Sequence, residues 1–167
     1  SEERKLPNNA EFVKGDVRDL KLVESLIQSC QDGVIHLAAD SRVLPSIQDP
    51  GLVSDSIDTN IKGTANVLIS MAKLGSWPPF VYAGSSTAYG DHESPQYEEM
   101  LPRIQSPYSA TKLSGENIIR AFVVTFGARA TVLRYFQVYG PNQRKDKDRY
   151  IPQHILDCGT QSACWEC

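Results

Sequence analysis

Cysteine, methionine and tryptophan are all scarce in this chain, at four, two and two among 167 residues. Four irregularly placed cysteines make no disulfide framework for a chain of this length, which points to a reducing compartment. Cys164 and Cys167 form a C-x-x-C pair, but with only Cys158 and His154 nearby neither a metal centre nor a redox pair is expected there. No apolar run approaches the ~18 residues of a membrane span and no basic-then-apolar leader precedes Glu11, so a cytoplasmic protein without membrane attachment is expected. Positive charge is not in excess: 17 Lys and Arg face 20 Asp and Glu, a net charge of -3 that gives no general attraction to nucleic acid. Repeats and low-complexity segments are absent. With 41% hydrophobic and 22% charged residues, the chain has the composition of about one folded domain.

The order of patterns along the chain is strand and helix in alternation. Residues 11–14 read as a short strand ending at Gly15 and Asp16. An amphipathic helix follows Asp19, with Val23, Leu26, Ile27 and Cys30 at i, i+3, i+4 and i+7. The run 34–39 is continuously apolar and too short for a helix, as a strand buried on both faces of a parallel sheet would be. Ile57, Ile61, Thr64, Leu68 and Met71 keep helical spacing until Gly75 and the Trp77-Pro78-Pro79 stop. Residues 80–83 and 131–133 read as two more strands. Between them, residues 107–126 form a helix with Pro107 in its first turn and Gly127 at its end. A last short helix is expected over 151–156. Such alternation describes a helix-covered parallel sheet, which binds ligands at the carboxyl ends of its strands. Asp16, Ala38, Ala39, Ser85, Ser86, Thr87, Tyr135, Phe136 and Gln137 all stand where a strand runs out.

Tyr108 and Lys112 lie four apart at the start of the long helix, on one face and about one turn from each other. An ammonium beside a phenol lowers the phenol's pKa from its ordinary value of roughly 10, so that Tyr108 can accept a proton from a hydroxyl near neutral pH. Ser85, Ser86 and Thr87 follow the preceding strand, where a hydroxyl can hydrogen-bond the oxygen that Tyr108 deprotonates.

Several stretches in this order resemble the extended short-chain dehydrogenase/reductases that act on nucleotide sugars. They are Gly15-Asp16-Val17-Arg18-Asp19, His36-Leu37-Ala38-Ala39, Asn60-Ile61-Lys62-Gly63-Thr64, Ser85-Ser86-Thr87-Ala88-Tyr89-Gly90, Tyr108-Ser109-Ala110-Thr111-Lys112 and Leu133-Arg134-Tyr135-Phe136-Gln137-Val138-Tyr139-Gly140-Pro141. Residues 82–92 look most like UDP-N-acetylglucosamine 4-epimerases and their UDP-glucose relatives. The resemblance implies an α/β fold with a doubly wound, Rossmann-like parallel sheet, NAD as cofactor, a UDP-sugar substrate and a homodimer formed through the 55–73 and 107–126 helices. It gives Asp16 and Val17 to the adenine, Leu37, Ala38 and Ala39 to the pyrophosphate side, and Asn60 to ordering the site. Lys112 would grip the nicotinamide ribose, Tyr108 would be the base and Ser85 its hydroxyl partner. Tyr135 would lie against the nicotinamide, with Ser86, Phe136 and Gln137 near the sugar.

Three departures from the family pattern stand out. Gln137 replaces the usual Asn. The glycine-rich turn that binds the diphosphate is not found before Glu11, and residues 157–167 do not resemble the expected sugar-binding domain. The expectation is therefore a Rossmann-like domain over 1–156, truncated at both ends, with an atypical tail. Dehydratases of the family place Asp and Glu just after the catalytic Thr, where this chain has Ser86 and Thr87. A 4-epimerase is accordingly expected, ahead of a 4,6-dehydratase or decarboxylase and of a non-catalytic NAD-binding scaffold. Elsewhere, His36 reads as a hydrogen-bonded core histidine and residues 144–149 as a solvated loop of alternating charge. Ser41, Arg42 and Ser46 fit either substrate contact or plain turn chemistry.

Overall fold

The computed structural model describes residues 10–30, 32–41, 43–75 and 77–138. The chain divides into two compact units, Ser1–Arg134 and Tyr135–Cys167. In the first, helix α1 (Leu20–Gln28) opens on Asp19, whose carboxylate accepts hydrogen bonds from the Lys21 and Leu22 amides and so satisfies two donors of the first turn. Strand β1 (Val34–His36) and helix α2 (Val43–Gln48) follow. Helices α3 (Val53–Ile57) and α4 (Gly63–Lys73) are joined without a break by a π-helical turn, Asp58–Lys62. Strand β2 (Phe80–Ser85), a 3-10 turn at Ser86–Ala88, the long helix α5 (Pro107–Phe126) and strand β3 (Ala130–Tyr135) complete the order.

The strands form one sheet in the order β1-β2-β3, with β1 parallel to β2 and His36 opposite Tyr82. Side chains alternate across a sheet, so His36, Phe80 and Tyr82 share a face. That face is buried under α4 and α5 together with Val67, Leu68, Met71 and Ile119, and α1 adds Val23 and Ile27. Burying Phe80, Leu68 and Met71 in this way is worth on the order of 2 kcal/mol each.

The opposite face departs from expectation. Ile35 is 69% exposed and Leu37 62% exposed, so the run 34–39 is not covered on both sides, and β1 stops at His36. Among the described residues no helix lies over Ile35 and no strand pairs with the outer edge of β1. Residues 11–14 are exposed and form no strand, for the same reason: a ladder needs a neighbour to receive its N–H and C=O groups, and no described strand offers one. The expected helix over 151–156, the loop 144–149, the C-x-x-C pair and Arg42 lie outside the described residues.

Helix α5 forms as its terminal residues dictate. The Ser106 side chain accepts from the Ser109 amide at 3.1 Å while the Ser109 hydroxyl receives the Ser106 N–H, and Pro107 occupies the first turn. At the other end Gly127 takes the left-handed conformation, φ 68°, that a side chain would oppose. Midway, Glu116 meets Arg134 of β3 through a part-buried bidentate pair at 2.9–3.2 Å. The guanidinium also donates to the Glu98 carbonyl at 3.3 Å and lies over the Tyr89 ring. One charge pair thus ties the end of the sheet to α5 and to the loop before it.

Gly115 sits where α5 crosses Tyr82, and an added Cβ would collide with the tyrosine hydroxyl. Gly115→Ala gains about 1 kcal/mol of helix propensity but overpacks a buried contact at a cost of roughly 1–3 kcal/mol. The expected result is a lower urea midpoint, equivalent to about 1 kcal/mol lost. A raised midpoint would show that Tyr82 moves aside freely.

Candidate active site

The carboxyl end of β1, the π-helical turn and the start of α5 are fastened together by one amide. Asn60 is 1% exposed; its Oδ1 accepts from the Asp40 N–H at 2.8 Å, and its Nδ2 donates to the Asp40 carbonyl at 3.0 Å and to Thr111 Oγ1 at 2.9 Å. Thr111 passes its own proton to the Tyr108 carbonyl at 2.8 Å. The wider π-helical turn carries Asn60 inward at this point, the kind of local irregularity that often marks a functional position. The Ser56 hydroxyl, on α3, donates to the Asp40 carboxylate at 2.9 Å.

A second polar chain runs beneath the first. Thr64 Oγ1 donates to the Asn60 carbonyl at 2.6 Å, so its 3.0 Å contact with His36 Nε2 uses the imidazole N–H as donor. Burial, with the positive charge of Lys112, pushes His36 down to about 4. His36 is therefore a neutral, hydrogen-bonded core residue at neutral pH.

Tyr108 and Lys112 are both buried in the first turns of α5. The Lys112 ammonium lies 4.3 Å from the centroid of the Tyr82 ring, and among the described residues no hydrogen bond or ion pair ends on it. Burial pushes this lysine down to about 8, against the pull of the Glu116 carboxylate one turn further along. A lysine only 4% exposed thus keeps three N–H donors uncommitted toward the described residues.

Ser85 ends β2 with its hydroxyl 2.9 Å from that of Thr87 and accepting from the Thr87 N–H, which fixes its rotamer in the 3-10 turn; Ser86 beside it is half-buried. Leu37 and Ala38 are exposed beyond β1 and Ala39 half-buried. Asp16 is claimed by Arg18, which binds both carboxylate oxygens at 2.7–3.0 Å and holds the carboxyl at about 2. An adenine amino group there would share the carboxylate with a guanidinium. Val17 packs over Gly63, and its carbonyl accepts from Asn66 Nδ2 at 3.0 Å. Tyr135, Phe136 and Gln137 belong to the second unit, where Tyr135 closes β3. Ser46 is buried with its hydroxyl on the Val43 carbonyl, a local turn contact.

The sequence reading did not find Tyr82, Thr64, Thr111 or Glu116. One signal was available, since Tyr108, Lys112 and Glu116 recur at intervals of four and so line one face of α5. Tyr82 gave none, because an aromatic residue in a strand reads as core.

The state of His36 has a measurable consequence. Its folded value near 4 lies below the unfolded 6.5, so the unfolded chain binds more protons between these limits. The corresponding stability, about 3 kcal/mol, is present above pH 6.5 and lost as the pH falls toward 4. His36→Gln keeps an N–H donor for Thr64 and should flatten this part of the urea-derived stability profile. An unchanged slope in the variant would remove the assignment.

Comparisons with known proteins identify the family. The chain matches the NAD dependent epimerase/dehydratase family over residues 1–164. A UDP-glucuronate 4-epimerase of Thermodesulfobacterium geofontis is 32% identical over 171 residues, covering 96% of this chain and 52% of the relative. A dTDP-glucose 4,6-dehydratase of Mycobacterium tuberculosis is 33% identical over 150 residues, covering 87% of this chain and 43% of the relative. Among solved structures, the UDP-glucuronic acid 4-epimerase of Bacillus cereus with UDP-glucuronic acid and NAD aligns with a TM-score of 0.78 at 31% identity, over 91% of this chain and 48% of that one. The chain spans about half the length of these relatives. With the family matched along nearly its whole length, the chain belongs to the NAD-dependent epimerase/dehydratase family.

Proposed function

We propose that the protein is an NAD-dependent nucleotide-sugar 4-epimerase acting on a UDP-sugar. The observation that carries this reading is Lys112, a side chain 4% exposed whose ammonium has no hydrogen-bond acceptor among the described residues, one helical turn after Tyr108. That donor set fits a nicotinamide dinucleotide, whose ribose hydroxyls offer the oxygen acceptors Lys112 lacks. Asp16 and Val17 would hold its adenine, Leu37, Ala38 and Ala39 its pyrophosphate side, and Tyr135 its nicotinamide end. When bound, NAD supplies the hydride acceptor and donor at the sugar's C4.

The chain's own residues manage the proton. Lys112 favours the phenolate of Tyr108, which takes the proton of the sugar's 4-hydroxyl. Ser85, its rotamer fixed by Thr87, hydrogen-bonds the same oxygen as charge moves onto it. Asn60 holds the backbone of α5's first turn through Thr111, so that Tyr108 keeps its position while the 4-keto sugar turns over. The proton then returns to the new 4-alkoxide from Tyr108. Ser86, Phe136 and Gln137 are assigned to the sugar. A homodimer through α4 and α5 fits the exposed apolar side chains Ile69 and Val124 on those helices.

Relatives of both reaction types match the chain at similar identity, so the choice of epimerase rests on Ser86 and Thr87. Eliminating water across C5 and C6 needs a base for the C5 proton and an acid for the departing hydroxyl. Neither Ser86 nor Thr87 serves readily as either at neutral pH.

Two outcomes test the proposal on the full-length gene product. NMR of the product from a UDP-sugar should show inversion at C4; a 4-keto-6-deoxy sugar would overturn the epimerase assignment. Tyr108→Phe should lower turnover by at least ~10²-fold, the usual contribution of a positioned acid-base group, with NAD binding retained. Near-normal turnover would remove Tyr108 from the chemistry.

A further inference from the structure

We propose that Tyr82 is a positioning residue for Lys112, its buried ring serving as the seat that keeps the ammonium charged and in place. Tyr82 is 1% exposed and fixed on every side. On the sheet it stands opposite His36, with the two rings 5.8 Å apart. Its hydroxyl lies 3.5 Å from the Lys112 carbonyl and is in reach of Thr64. Above it, α5 carries a glycine, Gly115, at the point where any side chain would strike that hydroxyl. The helix therefore passes close enough for the ammonium three residues earlier to rest on the ring, 4.3 Å from its centroid.

A seat of this kind matters because Lys112 is held between opposing influences. Burial disfavours its charge, and the Glu116 carboxylate on α5 favours it. Among the described residues, the other titratable groups around it are His36 on β1, neutral at working pH, and the phenols of Tyr82 on β2 and Tyr108 on α5. Asn60 and Thr64, from the π-helical turn and α4, carry no charge. The negative face of an aromatic ring attracts a cation most strongly where water is excluded. Tyr82 thereby stabilises the charged lysine at a place where Glu116 alone acts from a full turn away. The aromatic residue at this position is used for its π-face as well as its volume.

The inference deepens the reading of Lys112 as a functional group, but its test needs neither cofactor nor turnover. The chain with ¹³Cε-labelled lysine would be titrated by NMR, with the Lys112 signal identified by its loss in Lys112→Arg. Tyr82→Phe keeps the ring and should leave the Lys112 midpoint within about 0.3 pH units of the parent value. Tyr82→Leu removes the ring and should lower it by about one unit, the size expected for a desolvated cation–π contact. The sign separates this from a packing role, since a loosened core would admit water and raise the midpoint. If Tyr82→Leu fails to fold, phenylalanines of increasing fluorination at position 82 keep the volume while weakening the π-face. They should lower the midpoint in steps. An unchanged or raised midpoint across the leucine or fluorinated series would overturn the proposal, whether or not the full-length protein proves to be an epimerase.

Discussion

A single carboxamide governs the geometry of the candidate site. Asn60 has one acceptor and two donors to spend in a place closed to water, and it spends them on the two backbone groups of Asp40 and on Thr111. Leaving any of these unmade would cost about 1–3 kcal/mol of desolvation, so the three partners are held jointly. The amide thereby sets the distance between the end of β1 and the first turn of α5, which carries Tyr108. The π-helical turn is the backbone's accommodation to this requirement: a regular helix through residues 58–62 would present a different residue at that depth.

Around that clamp the chain has built a polar interior within an otherwise apolar layer. His36, Thr64, Tyr82 and Lys112 are all buried, and each is assigned a partner among its neighbours: imidazole to hydroxyl, ammonium to ring. Buried polar groups are tolerable only when satisfied in this way, and a satisfied network fixes rotamers that an apolar core would leave freer. Lys112 differs in the kind of partner, since its cation meets the Tyr82 ring and no hydrogen-bond acceptor among the described residues.

Much of this was legible in the residue order. Helices α1 and α5 were readable from residues suited to their ends, Asp19 as a cap in one and Pro107 and Gly127 as start and stop in the other, while the Ser106 cap emerged only in the structure. The strand ends were readable in outline, since β1 and β2 run out near small and hydroxylated residues such as Ala38, Ala39 and Ser85. The exposed face of β1 was not, since an apolar run says that a strand prefers burial and is silent about what covers it. The strand expected over residues 11–14 failed on the same ground, a ladder being a property of two segments while periodicity describes one. Nor could spacing reveal that Tyr82 sits under Lys112, thirty residues away in sequence, because that contact depends on how closely α5 approaches the sheet.

The pair between Glu116 and Arg134 has a consequence for the conditions under which the molecule keeps its shape. Mobile ions weaken attractions between exposed charges over a Debye length of about 8 Å at physiological strength, but they do not enter a contact closed off by protein. The ion pairs of Arg18 with Asp16 and of Arg103 with Asp91 lie open to solvent, whereas Arg134 and Glu116 are largely enclosed and joined by two parallel N–H···O bonds. Concentrated electrolyte would therefore weaken the surface ion pairs far more than the fastening between sheet and long helix.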